Sequence, residues 1–198
     1  MRGPDLGIRE HGMNRFTIND LPLTGLKLVE RQRLGDSRGF LSRLFCAAEL
    51  SSAGWKKPIA QINHTSTSKR GTVRGMHFQR APHSEMKLVS CIRGRVWDVA
   101  VDLRKGSPTF LHWHAEELSA ENNRAMLIPE GFAHGFQSLT DDAELLYCHT
   151  APYHAEAEGG LNSADPKLSI AWPLEIAELS GRDTQHPMID QNFSGLAL

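Results

Sequence analysis

Short stretches in which apolar and polar residues alternate, broken every few positions by Gly, Pro, Asn, Asp or Ser, occupy most of this chain up to residue 149. The clearest covers residues 95–103, where Trp97, Val99, Val101 and Leu103 alternate with Val96, Asp98, Ala100 and Asp102. A period of two puts the two sets on opposite faces of a β-strand, one apolar and one polar. The same reading predicts strands over residues 26–30, 40–46, 59–65, 72–78, 87–92, 110–118, 124–128, 135–139 and 143–149, with a turn at 35–39 between the first two. Residues 47–54 read as a short helix closed by Gly54, and 174–179 as a second, followed by the polar turn Ser180-Gly181-Arg182-Asp183. Many short strands with little helical periodicity indicate an all-β sandwich or closed barrel. Met76, Phe78, Trp97, Val99 and Val101 are assigned to its core. Residues 1–15, interrupted by Gly3-Pro4, Gly7 and Gly12, read as a flexible leader, and 16–198 as a single domain large enough to bury a core.

Charge narrows the possible partners. Lys and Arg total 22 against 23 Asp and Glu, a formal charge of −1, so no global basic field draws in nucleic acid or an anionic membrane. No apolar run is long enough for a signal peptide or a bilayer span. Cys46, Cys91 and Cys148 are widely spaced and match neither a disulfide framework nor a zinc motif, which fits a reducing, cytoplasmic setting. Of the ten histidines, His11, His83, His112, His154 and His186 sit among polar or turn residues and read as surface groups.

The candidate chemistry is concentrated in Arg74-Gly75-Met76-His77-Phe78-Gln79, in Lys87, and in Pro129-Glu130-Gly131-Phe132-Ala133-His134-Gly135-Phe136. These segments place two imidazoles, a guanidinium and an ammonium on what read as facing strands. Such a set can remove a proton beside a carbonyl and hold the resulting enolate oxygen. Read alone, His77 and His134 also suit core histidines bonded to backbone carbonyls, Lys87 a strand-edge lysine and Tyr147 a ring covering the barrel mouth. Pro129-x-Gly131-x-x-His134 is the second signature of the cupin jelly roll. Metal-binding cupins carry a His-x-His pair in the partner motif. Here Gln79 stands where the second His would be, so the metal shell is incomplete and no metal is predicted.

With Lys87-Leu88-Val89, residues 94–104, Ser107-Pro108-Thr109-Phe110 and residues 128–136, these segments resemble the dTDP-4-dehydrorhamnose 3,5-epimerase family, in order and spacing, from about Arg33 to Pro187. The resemblance implies a cupin-like jelly-roll β-barrel with short peripheral helices. It also implies a homodimer with exchanged N-terminal strands, no cofactor, and a nucleotide-linked 4-keto-6-deoxyhexose as substrate. His77 matches the family's base, Asp183 its carboxylate partner, Lys87 the cation beside the C4 oxygen and Tyr147 the acid on the opposite face. Arg74, Arg38, Phe40, Gln61, Asn63, His134 and Tyr153 match substrate-binding positions. Arg43 stands where the family usually places a Glu near the nucleotide base, and residues 160–166 lack the Trp common before the Asp-Pro. Both departures bear on which nucleotide and sugar are taken. The implied activity is cofactor-independent epimerisation at C3, C5 or both. The alternatives are a single-centre 3- or 5-epimerase, a metal-dependent cupin enzyme, and a cupin that binds a sugar nucleotide without turning it over.

Overall fold

The computed structural model describes residues 14–198, so nearly all of the expected leader lies outside the described residues. Six strands form one antiparallel sheet in the order β1 (Phe16–Asp20), β2 (Lys27–Arg31), β10 (Arg124–Ile128), β7 (Lys87–Arg93), β12 (Ala143–His149) and β5 (Gln61–Thr67). Five form a second, in the order β13 (Glu158–Gly160), β6 (Val73–Gln79), β11 (Phe132–Ser138), β8 (Arg95–Asp102) and β9 (Trp113–Ser119). The inner faces meet in a core that includes Leu28, Val89, Val96, Ala100, Phe136 and Leu145. This is the cupin-like jelly roll expected from the sequence, and a β-hairpin of β3 (Arg33–Asp36) and β4 (Gly39–Ser42) stands apart from both sheets. Among the described residues no helix is long and apolar enough to cross a membrane.

Both sheets are also covered outside, which explains why so few strands show a solvent face. The short helix α1 (Ala47–Leu50) and the 3₁₀ turn Ser51–Ala53 end at Gly54, whose φ of +106° suits a residue without a Cβ. They bring Leu50 and Trp55 onto Val29, Leu88, Leu127 and Cys148. Burying such side chains stabilises by about 1.5–3 kcal/mol each. On the other sheet, Leu161, Leu168, Ile189 and Leu196 of the C-terminal segment cover Met76, Phe78, Val99 and Val101. In β8 the apolar set therefore faces this outer layer, while Val96, Asp98 and Ala100 face the space between the sheets. The polar face is buried too, and Asp98 and Asp102 are fully enclosed.

The structure departs from the sequence expectations at several elements. The strand expected over 40–46 stops at Ser42, and Arg43 beyond it forms an ion pair with Glu49. Residues 174–179 are not helical, because neighbouring strand-edge groups take their backbone: Leu174 N–H donates to Gln137 Oε1 at 3.0 Å and Ala177 N–H to Gly71 O at 3.0 Å. The helix is instead α2 (Gly181–Thr184), on the expected polar turn, where Ser180 Oγ accepts from the Asp183 N–H as an N-cap. Strands β1, β3 and β13 were not anticipated.

One irregularity places the chemistry. In the β6–β11 pair His77 lies opposite His134 and Arg74 opposite Phe136, so Gly75 and Met76 together face Gly135 alone. This β-bulge breaks the alternation of β6. Arg74 and His77, three residues apart, both reach the inter-sheet space, while Met76 turns into the outer core.

Candidate active site

A cavity of about 500 Å³ opens between the sheets, lined by His77, Arg74 and His134 from one and by Lys87, Tyr147 and Asn63 from the other, with Asp183 and Arg182 of α2 at its side. His77 Nε2 lies 2.7 Å from Asp183 Oδ1. The second oxygen of Asp183 accepts from the Gly75 N–H at 3.3 Å, and Asp183 is only 3% exposed. Burial alone pushes this carboxyl up, but the His77 hydrogen bond and charge, with the Gly75 and Ser180 bonds, outweigh it and hold the group below its ordinary value. An ionised Asp183 fixes the proton of a neutral imidazole on Nε2 and leaves Nδ1 as the lone-pair nitrogen. Among the described residues Nδ1 has no hydrogen-bond partner.

Tyr147 on β12 and Lys87 on β7 belong to the opposite sheet. Burial drives the Tyr147 phenol well above its ordinary value, so it holds its proton at neutral pH; its only hydrogen-bond partner among the described residues is Thr65 Oγ1 at 3.5 Å. His134 stands edge-on to that ring, with centroids 5.8 Å apart, and its Nε2 is 2.7 Å from Asp98 Oδ1. Lys87 is buried with Nζ 3.2 Å from Glu85 Oε1, and the other Glu85 oxygen lies 2.8 Å from His149 Nδ1. Burial works to raise the Glu85 carboxyl, and the His149 hydrogen bond and the Lys87 charge more than offset it. Arg74 donates from Nε to Thr67 Oγ1 at 3.0 Å and from Nη2 to the Ser66 carbonyl at 3.2 Å, which ties its guanidinium to strand β5.

Gln61 does not line the cavity. It holds two residues that do, donating to Asn63 Oδ1 and accepting from the Tyr153 N–H, both at 2.9 Å, and the Tyr153 hydroxyl donates to Glu158. Arg38 and Phe40 lie outside the cavity, on the exposed β3–β4 hairpin, where Arg38 pairs with Asp36 at 2.6 Å and Phe40 packs under the Arg33 guanidinium. Arg43 is likewise outside, tied to Glu49.

The sequence reading missed Glu85, Asp98, His149, Glu158 and Arg182. His149 pairs in register with Lys87, a neighbour relation that only the β7–β12 ladder creates. His186 is not the surface group expected, for its ring stands edge-on to His77 at 5.5 Å.

The residues at the cupin metal positions do not fit a resident ion. Gln79 gives its amide to the carbonyls of His83 and Pro152 and accepts from the His154 N–H, and His134 Nε2 is committed to Asp98.

The dTDP-4-dehydrorhamnose 3,5-epimerase family model matches residues 20–191. The dTDP-4-dehydrorhamnose 3,5-epimerase of Pseudomonas aeruginosa is 45% identical over 167 residues, covering 83% of this chain and 91% of the relative. Among solved structures, the dTDP-6-deoxy-D-glucose-3,5-epimerase of Legionella pneumophila in complex with dTDP-4-keto-L-rhamnose superposes with a TM-score of 0.86 at 38% identity, covering 92% of this chain and 99% of that one. A 3'-monoepimerase from Streptomyces bikiniensis in complex with dTDP-quinovose gives 0.80 at 38% identity, covering 85% of each chain. With the family model spanning nearly the whole jelly roll, this chain belongs to the dTDP-4-dehydrorhamnose 3,5-epimerase family of isomerases.

Proposed function

We propose that this isomerase inverts C3, C5 or both of a dTDP-linked 4-keto-6-deoxyhexose through an enolate, with His77 as base and Tyr147 as acid. The observation that carries the reading is the His77–Asp183 pair facing Tyr147 from the opposite sheet across one cavity. A carbon acid beside the C4 carbonyl lies between them, Nδ1 of His77 takes its proton, and Asp183 stabilises the imidazolium that forms. Lys87 and Arg74 supply positive charge toward the C4 oxygen as the enolate develops. Tyr147, its phenol kept protonated by burial, returns a proton to the other face. Protonation from that face inverts the centre. His134, braced by Asp98, holds the Tyr147 ring edge-on.

The nucleotide is assigned to residues outside this chain's own cavity. Phe40, Leu41 and Leu34 are exposed on the β3–β4 hairpin, and β5 is an edge strand whose only sheet neighbour among the described residues is β12. These features support a homodimer in which each hairpin carries Arg38 and Phe40, with Arg43 just beyond its end, to the partner's cavity. An arginine in place of the family's glutamate then loosens the preference for thymine. The three free cysteines support a reducing cytoplasm.

Single-centre epimerisation is the second reading, favoured by the likeness to the 3'-monoepimerase. Incubation with dTDP-4-keto-6-deoxyglucose in D2O, followed by NMR, separates the two. Deuterium at both C3 and C5 marks the double epimerase and deuterium at one centre the single. Deuterium at neither overturns the proposal.

A further inference from the structure

His186 has no part in the proton transfers described above, yet it stands beside the groups that do. Its Nε2 is buried, has no hydrogen-bond partner among the described residues, and lies 3.6 Å from Asp183 Oδ1, the same oxygen that bonds His77 Nε2 at 2.7 Å. The three ligand atoms lie within 4.8 Å of one another. The ring is seated on Gly160, where a Cβ would come within 2.2 Å of it, so the backbone of β13 fixes how close it stands to His77.

We propose that His77 Nε2, Asp183 Oδ1 and His186 Nε2 form a binding site for a zinc-class divalent ion, and that the bound ion switches the enzyme off. Zinc–nitrogen and zinc–oxygen bonds of about 2.0–2.2 Å in a tetrahedral site put donor atoms roughly 3.3 Å apart. The separations of 2.7 and 3.6 Å bracket that figure, so small side-chain movements close the site. Two imidazoles and one carboxylate are a donor set that zinc and its neighbours favour over magnesium or calcium. Arg182 Nη2, 3.4 Å from His77 Nε2, opposes the ion, but its side chain is more than half exposed and paired with Glu158, so it can turn outward.

Inhibition follows from the tautomer and rests on the reading of His77 as base. A neutral imidazole carries one proton. With the ion on Nε2, that proton resides on Nδ1, and the nitrogen assigned above to take the substrate's proton has no lone pair to accept one from carbon. The ion also neutralises Asp183.

The test uses full-length protein stripped with a chelator, titrated with zinc by calorimetry and with cobalt by visible absorption, beside His186→Ala and His186→Phe. Phenylalanine keeps a ring on Gly160 without ligand nitrogens, so it decides the matter if the alanine variant folds poorly. The expected result is one equivalent bound by the wild type, affinity lower by about tenfold or more in both variants, and turnover that zinc inhibits in the wild type but not in His186→Phe. Equal zinc affinity in wild type and His186→Phe would overturn the site. Binding lost with His186, but with wild-type turnover indifferent to zinc, would uphold the site and overturn the assignment of His77 as base.

Discussion

Gly75 and Gly135 meet across the β6–β11 bulge so closely that a Cβ on Gly75 would lie 2.6 Å from Cα of Gly135, and a Cβ on Gly135 would lie 2.5 Å from Met76 Sδ. Gly75 also holds a φ of +128°. The bulge that directs both Arg74 and His77 inward exists because neither position carries a side chain. Gly135→Ala should therefore cost about 1–3 kcal/mol of stability, as overpacking does, and lower kcat through the displaced His77. Urea denaturation and steady-state kinetics check both, and an alanine variant of unchanged stability would show that the strands have room to part.

Asp183→Asn keeps the size of the side chain and removes the charge that orients the imidazole. The expected loss in kcat is about 100- to 10,000-fold, with circular dichroism and oligomeric state unchanged. A loss below tenfold would show that the His77 tautomer is fixed elsewhere.

Lys87 is buried against Glu85, and in the proposed mechanism its charge faces the place where the enolate oxygen forms. Interactions made chiefly in the transition state act on kcat rather than on KM. Lys87→Met should lower kcat by about 100-fold or more with a smaller change in KM. A pure KM effect would make Lys87 a substrate-binding group.

Asp102 carries a separate prediction about acid stability. Burial raises its carboxyl, but bonds from Arg104, Ser107 and Thr109 outweigh burial and hold it at about 2 against an ordinary 3.8. Because the folded value is depressed, the unfolded chain binds the proton more tightly. The stabilisation is therefore complete above about pH 4 and is lost as pH falls toward 2, a contribution of about 2 kcal/mol. The gap in urea midpoint between wild type and Asp102→Asn should shrink across that window, and a gap independent of pH would contradict the ionisation.

Much of this was legible in the chain. The alternation from Arg95 to Leu103 announced the strand that runs Arg95–Asp102, and Ala143–His149 and Arg124–Ile128 ended where their patterns ended. His77, Lys87, Tyr147 and Asp183 were named from the family resemblance, and all four line one cavity. What could not be read depends on contacts between distant segments. Ser180 reads as a turn residue until Asp183 N–H bonds it, and Leu174 reads as helical until Gln137 claims its backbone. Glu85 and His149 become one network with Lys87 only because β7 pairs with β12. His186 reads as a surface group because nothing local reports the glycine beneath its ring.

The central claim is that base and acid reach the substrate from opposite sheets, and solvent deuterium incorporation tests it most directly. With dTDP-4-keto-6-deoxyglucose in D2O, His77→Asn should show no incorporation at C3 or C5. Tyr147→Phe should still incorporate deuterium, since His77 can return a solvent-derived proton to the face it came from, yet yield little inverted sugar. Incorporation persisting in His77→Asn, or inversion at the wild-type rate in Tyr147→Phe, would contradict the account.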